Sequence, residues 1–439
     1  MSELPRREFL HGAALATASA ITLAPALATA AGDPNKPLIV GLIGCGGMGT
    51  NHLRNLVQRK DVKLAYVCDV DANRLTSAAN LVETSGQAKP VATKDLRDVL
   101  QDKTVDAVWI ATPDHWHSAA AILACDAKKH VYVEKPVSHN VREGRLLIDA
   151  ARRNKVVVQV GTQSRSTAHV RKAIELLRSG IIGDVLVAKA WNSQLRRDIG
   201  HQSASQPPAE LDFDLWQGPA PVREYQANLL PGIWRFWYDY GVGDIGNDGV
   251  HDIDIARWGL GVNTHPNTVA ALGSKFFFDD DQQFPDNQYC VFEWSGDGKV
   301  GNKRQLIYEQ RDWSPYVQEG YENGNAFYGT KGLLLLGKGE GFKVFGPRNK
   351  LLEEGTGRFD LVAHHQNFID CVRSGNRPHA DVEEGHLSAS LAHLANIACR
   401  QNRVLTFDPT KEEFTGEAPD QSLLTRKYRA GHWSVPKGV

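Results

Sequence analysis

Val40-Gly-Leu-Ile-Gly-Cys-Gly-Gly-Met-Gly-Thr50 is the stretch on which the fold turns. An apolar run, Leu38–Ile43, enters the glycine cluster Gly44-Cys45-Gly46-Gly47-Met48-Gly49, and a helical pattern leaves it. Strand, tight turn and helix in that order make the place where a dinucleotide pyrophosphate is held. Gly44 lets the backbone turn sharply, Gly46 leaves room for the phosphates, and Gly49 lets helix and strand pack closely. The first free N–H groups of the helix, around Gly47 and Met48, then point at the anion with the positive end of the helix dipole behind them. A second requirement is met downstream. The apolar run Leu64–Cys68 ends in Asp69, twenty residues past Gly49, where an acid meets the ribose hydroxyls and repels a 2′-phosphate. NAD is therefore the expected cofactor, with NADP left open by Arg74, one helical turn further on.

The 439 residues exceed one ordinary domain. With 50 Lys and Arg against 51 Asp and Glu, the charge balance offers nothing to nucleic acid. No apolar stretch past the N-terminus is long enough to span a membrane. The N-terminus itself reads as a signal: Arg6-Arg7-Glu8-Phe9-Leu10, a moderately apolar run Ala13–Ala24, and a small-residue exit at Ala28-Thr29-Ala30. Paired arginines followed by Phe-Leu are of the twin-arginine type, so residues 1–30 are expected to direct export to the periplasm or another extracytoplasmic space. Of the six cysteines, none forms a C-x-x-C pair, so neither a zinc ribbon nor a dithiol motif is indicated. No metal is expected.

Outward from the glycine turn, strands and helices alternate from Lys36 to about residue 162, the pattern of a doubly wound parallel sheet. Strands are predicted near Leu38–Ile43, Leu64–Cys68, Pro90–Ala92, Ala107–Ala111, Val131–Val133 and Val156–Val160. After Gly161 the texture changes. A helix over Ala168–Ser179 precedes an alternating run, Asp184–Ser193, and then strand-like segments joined by Gly and Asp-Gly turns. The end returns to helix, over His364–Arg373 and Glu383–Cys399. The expected class is α/β: a Rossmann domain over 36–162, then an α+β domain with an open, mostly antiparallel sheet over 163–439.

Three clusters carry chemistry. Ala111-Thr112-Pro113-Asp114-His115-Trp116-His117 follows a strand and reads as a loop bordering the cofactor, with Thr112, Pro113 and His117 as contacts. Glu134-Lys135-Pro136 ends the next strand. A lysine there lies beside the nicotinamide end, where it can bond a substrate hydroxyl and stabilise its developing charge. In the run Asp244–Trp258, helical spacing puts Asn247, His251 and Asp254 on one face. His251 is the candidate proton acceptor, with Asp254, or alternatively Asp244, orienting its ring. Gln163 and Arg165 are expected to face the site from the domain junction, and Trp191 and Trp234 to offer surfaces to a sugar.

The glycine turn, the T-P-D-H-W-H loop, E-K-P, the late H-D-I-D helix and Phe327–Gly332 together resemble the glucose–fructose oxidoreductase/inositol dehydrogenase (Gfo/Idh/MocA) family over nearly all of the chain past the signal. The resemblance implies a nucleotide-binding domain followed by an open sheet that carries the substrate, and a homo-oligomer, dimer or tetramer, formed through that sheet. It maps the family lysine onto Lys135 and the family histidine onto His251. Many members carry an aspartate one turn before that histidine. Here Asn247 stands there, and an amide cannot take a proton at neutral pH.

The expected activity is reversible hydride transfer between NAD and a secondary alcohol of a sugar, polyol or glycoside. Outside the cytoplasm there is no nicotinamide pool, so the cofactor is expected to stay bound. Two alternatives are a redox-neutral NAD-dependent glycosidase or lyase, and a non-catalytic sugar- or nucleotide-binding protein.

Overall fold

The computed structural model describes residues 36–417 and 419–439, so the export signal expected over 1–30 lies outside the described residues. Six parallel strands, β1 (Leu38–Ile43), β2 (Val62–Cys68), β3 (Val91–Thr93), β4 (Ala107–Ile110), β5 (His130–Val133) and β6 (Val158–Val160), form a sheet in the order β3-β2-β1-β4-β5-β6. The order reverses between β1 and β4. At such a switch point the loops leaving the two strands part and open a crevice beyond their carboxyl ends. β4 is buried along its whole length and β1 nearly so, because helices cover both faces: α1 (Gly47–Leu56), α2 (Ala72–Thr84), α3 (Leu96–Gln101), α4 (Asp114–Asp126) and α5 (Val141–Asn154).

The second sheet has ten strands. In spatial order they are Leu351–Thr356, Gly341–Phe345, Leu333–Gly337, Asn323–Gly329, Val185–Ser193, Arg304–Arg311, Asn287–Trp294, Thr268–Ser274, Leu405–Asp408 and Glu413–Thr415. Only Val185–Ser193 and Arg304–Arg311 run parallel; the other neighbours are antiparallel. One face is packed by the helices Ala168–Arg178, Val250–Leu260 and Val382–Gln401, whose Ile174, Ile253 and Leu394 join Phe292, Tyr308 and Phe327 of the strands in one core. The opposite face leaves Leu272 and its cross-strand partner Tyr289 exposed, with Tyr328 further along.

One expectation changes. Asp114–His117 is not loop but the first turn of α4, with Pro113 at its N-cap; only Ala111–Pro113 bridges strand and helix. Phe327–Gly332 is the end of a strand followed by its turn. The boundary at 163 also does not divide the packing. Trp109 and Tyr132 of the first sheet bury against Phe368 of the late helix Leu361–Ser374. Trp433 of the C-terminal tail packs on Trp116, with Arg97 over its ring. All six cysteines are free, and five of them are buried. Among the described residues no helix is long and apolar enough to cross a membrane.

Candidate active site

A cleft of about 780 Å³ runs from the glycine turn to the second domain. Its first wall depends on two absent side chains. Gly44 adopts φ +91°, and a Cβ there would lie 2.7 Å from the carbonyl of Ala111. A Cβ on Gly49 would come within 1.9 Å of the Gly44 oxygen, so helix and strand could not meet. Beside Gly47 there is open space, and Gly46 is the N-cap of α1. The leading N–H groups of a helix have no intrahelical acceptor, and here they border the cleft. Asp69 accepts from the N–H groups of Cys45 at 2.6 Å and Asp71 at 2.9 Å, which fixes its carboxylate at the end of β2 on the cleft wall. These residues fit a dinucleotide: its pyrophosphate at Gly46–Met48, its ribose on Asp69. Arg74 also lines the cleft, with Nη1 3.4 Å from where a Gly46 Cβ would stand. Asp69→Asn should therefore weaken NADH binding about tenfold or more and raise the NADPH to NADH affinity ratio, as measured by nicotinamide fluorescence titration. An unchanged ratio would remove Asp69 from the ribose.

Thr112 and Pro113 lie on the cleft wall. His117 lines it too, but its ring is committed to the backbone, with Nδ1 2.7 Å from the Pro136 carbonyl and Nε2 2.8 Å from that of Thr112. It ties the two cofactor-side loops together. His115 bonds the Trp216 carbonyl at 2.9 Å.

Glu134 is the buried anchor beneath Lys135. Gln163 Nε2 donates to it at 2.8 Å, the His52 ring lies at 3.0 Å, and the Lys135 N–H donates at 3.2 Å. Only a glycine at position 161 leaves room for this carboxylate, since a Cβ would overlap it at 2.4 Å. Burial favours its neutral form, but the His52 hydrogen bond and charge and the nearby Lys135 hold it down to about 2. Lys135 is half-buried, and its Nζ donates to the Asn247 carbonyl at 2.6 Å, with Asn247 Oδ1 at 3.5 Å. Burial holds this ammonium below its ordinary range.

Asn247 lies in a π-type turn, Ile245–Gly249, that feeds the helix Val250–Leu260. Such turns concentrate at functional sites. His251, in the first turn of that helix, faces the same cleft as Lys135 and Asn247. Burial, then repulsion from Lys135 and Lys338, depresses its pKa to about 3, so the imidazole is neutral. It also borders a second, smaller cavity of about 290 Å³ with Asp248 and Lys338.

The carboxylate expected to orient His251 is elsewhere. Asp254 is fully buried and accepts from Arg165 at 2.8 and 2.9 Å and from Ser388 Oγ at 2.6 Å. Arg165 likewise leaves the cleft, since it is spent on Asp254 and Glu384. Helical spacing placed Asp254 correctly on the helix but could not say which neighbour would claim it. Asp244 holds Asn247 Nδ2 at 3.0 Å and Arg196 at 2.9 Å rather than the histidine. Asp248 sits beside the smaller cavity, bonded to Lys338 at 2.9 Å. Trp191 is core, with its indole N–H donating to the Tyr321 carbonyl at 3.1 Å, whereas Trp234 and Gln163 do line the cleft.

Two cleft residues were not singled out by the sequence, although Asp114 lies within one of its clusters. Asp114 is buried with Oδ2 unpartnered, and burial pushes its carboxyl up to about 7. Arg235 reaches the cleft from the turn Ile233–Phe236. Both depend on long-range approach.

Known proteins agree with this architecture. The sequence profile described as "Oxidoreductase family, NAD-binding Rossmann fold" matches residues 38–162, and "Oxidoreductase family, C-terminal alpha/beta domain" matches 169–435. Myo-inositol 2-dehydrogenase of Thermotoga maritima is 25% identical over 376 residues, which is 83% of this chain and 97% of that protein. A glycosyl hydrolase family 109 protein of Shewanella pealeana is 27% identical over 208 residues, 43% of this chain and 46% of its own. The fold of an aldose-aldose oxidoreductase from Caulobacter crescentus superposes with a TM-score of 0.65 at 18% identity, covering 85% of this chain and 100% of that one. The chain thus belongs to the Gfo/Idh/MocA family and is an NAD(P)-dependent oxidoreductase.

Proposed function

We propose that the protein oxidises and reduces a secondary alcohol of a sugar, polyol or glycoside with an NAD that stays bound, and that it works outside the cytoplasm. One observation carries the reading: Lys135 and His251, remote in sequence, converge on one cleft that begins at the dinucleotide turn. Bound NAD would supply the acceptor for the hydride. The chain's own groups do the rest. The Lys135 ammonium, positioned by the Asn247 carbonyl, bonds the carbinol oxygen and stabilises its developing negative charge. The neutral His251 ring takes the hydroxyl proton as the C–H pair departs. The Glu134 carboxylate below favours the charged form of Lys135 against the effect of its burial. In the reverse direction, His251 returns the proton.

The placement outside the cytoplasm rests on Arg6-Arg7 and the small-residue exit that follows. The exposed apolar side chains on the open sheet face support assembly of copies through that sheet. The glycosyl hydrolase family 109 relatives favour a second reading, in which a glycoside is oxidised, cleaved by elimination and reduced again.

Mass spectrometry of protein denatured after purification should find about one nicotinamide dinucleotide per chain, and a sugar panel should change the nicotinamide absorbance. Protein that carries no nucleotide and releases added NAD freely would sink the retained cofactor. Release of aglycone without any absorbance change would move the assignment to the second reading.

A further inference from the structure

Arg235 stands in the cleft without an ion-pair partner among the described residues. It lines the cavity with Lys135, His251, Asp114 and Trp234, its Nε is buried without a hydrogen-bond partner, and among the described residues no carboxylate pairs with it. Neighbouring arginines differ: Arg196 is paired with Asp244 at 2.9 Å, Arg165 with Asp254 at 2.8 Å, and Arg257 with Glu384. The acids near Arg235 are committed elsewhere. Asp244 serves Arg196, Asn192 and Asn247, and Asp248 serves Lys338 and Gln194. Asp114 is the remaining acid, and burial pushes its carboxyl up to about 7.

Glu134 balances Lys135 from below, so the charge that remains without a paired carboxylate at the substrate end of the cleft is the Arg235 guanidinium. A guanidinium partly withdrawn from water, as Arg235 is at Nε, is costly without a partner, and the cost is recovered when a ligand brings the counter-charge. A guanidinium fork matches a planar carboxylate at two points, a geometry that a lysine cannot offer. The Trp234 ring, 5.4 Å from the Arg235 guanidinium, adds a face on which a pyranose can lie.

We propose, on the reading that this cleft takes a sugar alcohol, that the substrate is a sugar acid whose carboxylate is bound by Arg235 while its carbinol meets Lys135 and His251. The test compares glucuronate, galacturonate and their methyl glycosides with the neutral parent sugars and with sugar 6-phosphates. Two readouts are used: nicotinamide absorbance, and calorimetric binding to the protein–NADH complex. At least one acid should exceed its neutral parent by about tenfold or more in kcat/KM. Arg235→Gln should cut that ratio about tenfold, chiefly through KM, and Arg235→Lys should fall between.

Neutral sugars or phosphates preferred over the acids would overturn the proposal. So would an Arg235→Gln variant that loses NADH affinity with the ratio intact, which would give the arginine to the cofactor. An acid that binds through Arg235 but is never oxidised would keep the carboxylate site and end the reaction proposed above. Turnover of neutral sugars with no preference for acids would do the reverse.

Discussion

His251→Asn should lower kcat for sugar oxidation by about 10²–10⁴-fold at neutral pH, with NADH affinity and melting temperature close to those of the unaltered protein. Asparagine keeps a polar side chain at the cleft wall but cannot take a proton. Lys135→Met should cost about 10²–10³-fold, because the oxyanion loses its positive partner while the apolar stem is retained. The pH profile adds a sign. A base works in its neutral form, and His251 is neutral above about 3. Between pH 7 and pH 5, kcat/KM should therefore show no falling limb attributable to this ring. Steady-state rates across that range check it. A limb near the ordinary histidine value of about 6.5, abolished in His251→Asn, would contradict the neutral, buried ring. Full activity in either variant would remove both residues from the chemistry.

Acidification from pH 7.5 to pH 5 should lower the melting temperature by roughly 5 °C or more. Burial depresses His115, His251 and His393 to about 3, and His130, His364 and His386 to about 4, with His139 and His365 also well below the ordinary value. Between about pH 6.5 and 4 these rings take protons in the unfolded chain but not in the folded one, so stability falls with pH by about 2 kcal/mol per ring at pH 5. Asp114 and Asp252, raised by burial to about 7, and Asp69 and Asp312, raised likewise, work the other way. They take up protons in the folded state first, which returns about 2–3 kcal/mol for a carboxyl at 7. Eight rings outweigh four carboxyls. Groups with depressed carboxyl values such as Glu134 add their loss only below about pH 4.5. Calorimetric melting at the two pH values decides it: a melting temperature unchanged or higher at pH 5 would mean that the imidazoles are charged in the folded protein.

Much of the fold can be read from local pattern. The glycine turn, the strand ending in Asp69 and the alternating run before Ser193 each state a conformation through spacing alone, because backbone geometry and one-sided burial are local demands. Lys135 and His251 could be named as candidates for the same reason, each lying at a strand end or helix start of recognisable type.

What the linear chain determined was the alternation of strands and helices and a glycine turn that fits a dinucleotide. Partnership was decided only by the tertiary structure. It gave Asp254 to Arg165, withdrew Trp191 into the core, brought Lys338 to Asp248 and, among the described residues, left Arg235 in the cleft without a carboxylate partner. The physical reason is range. Helix and strand periodicity extends over a few residues, whereas a buried charge is settled by whichever opposite group the folded chain brings within hydrogen-bonding distance, and those groups lie tens to hundreds of positions apart.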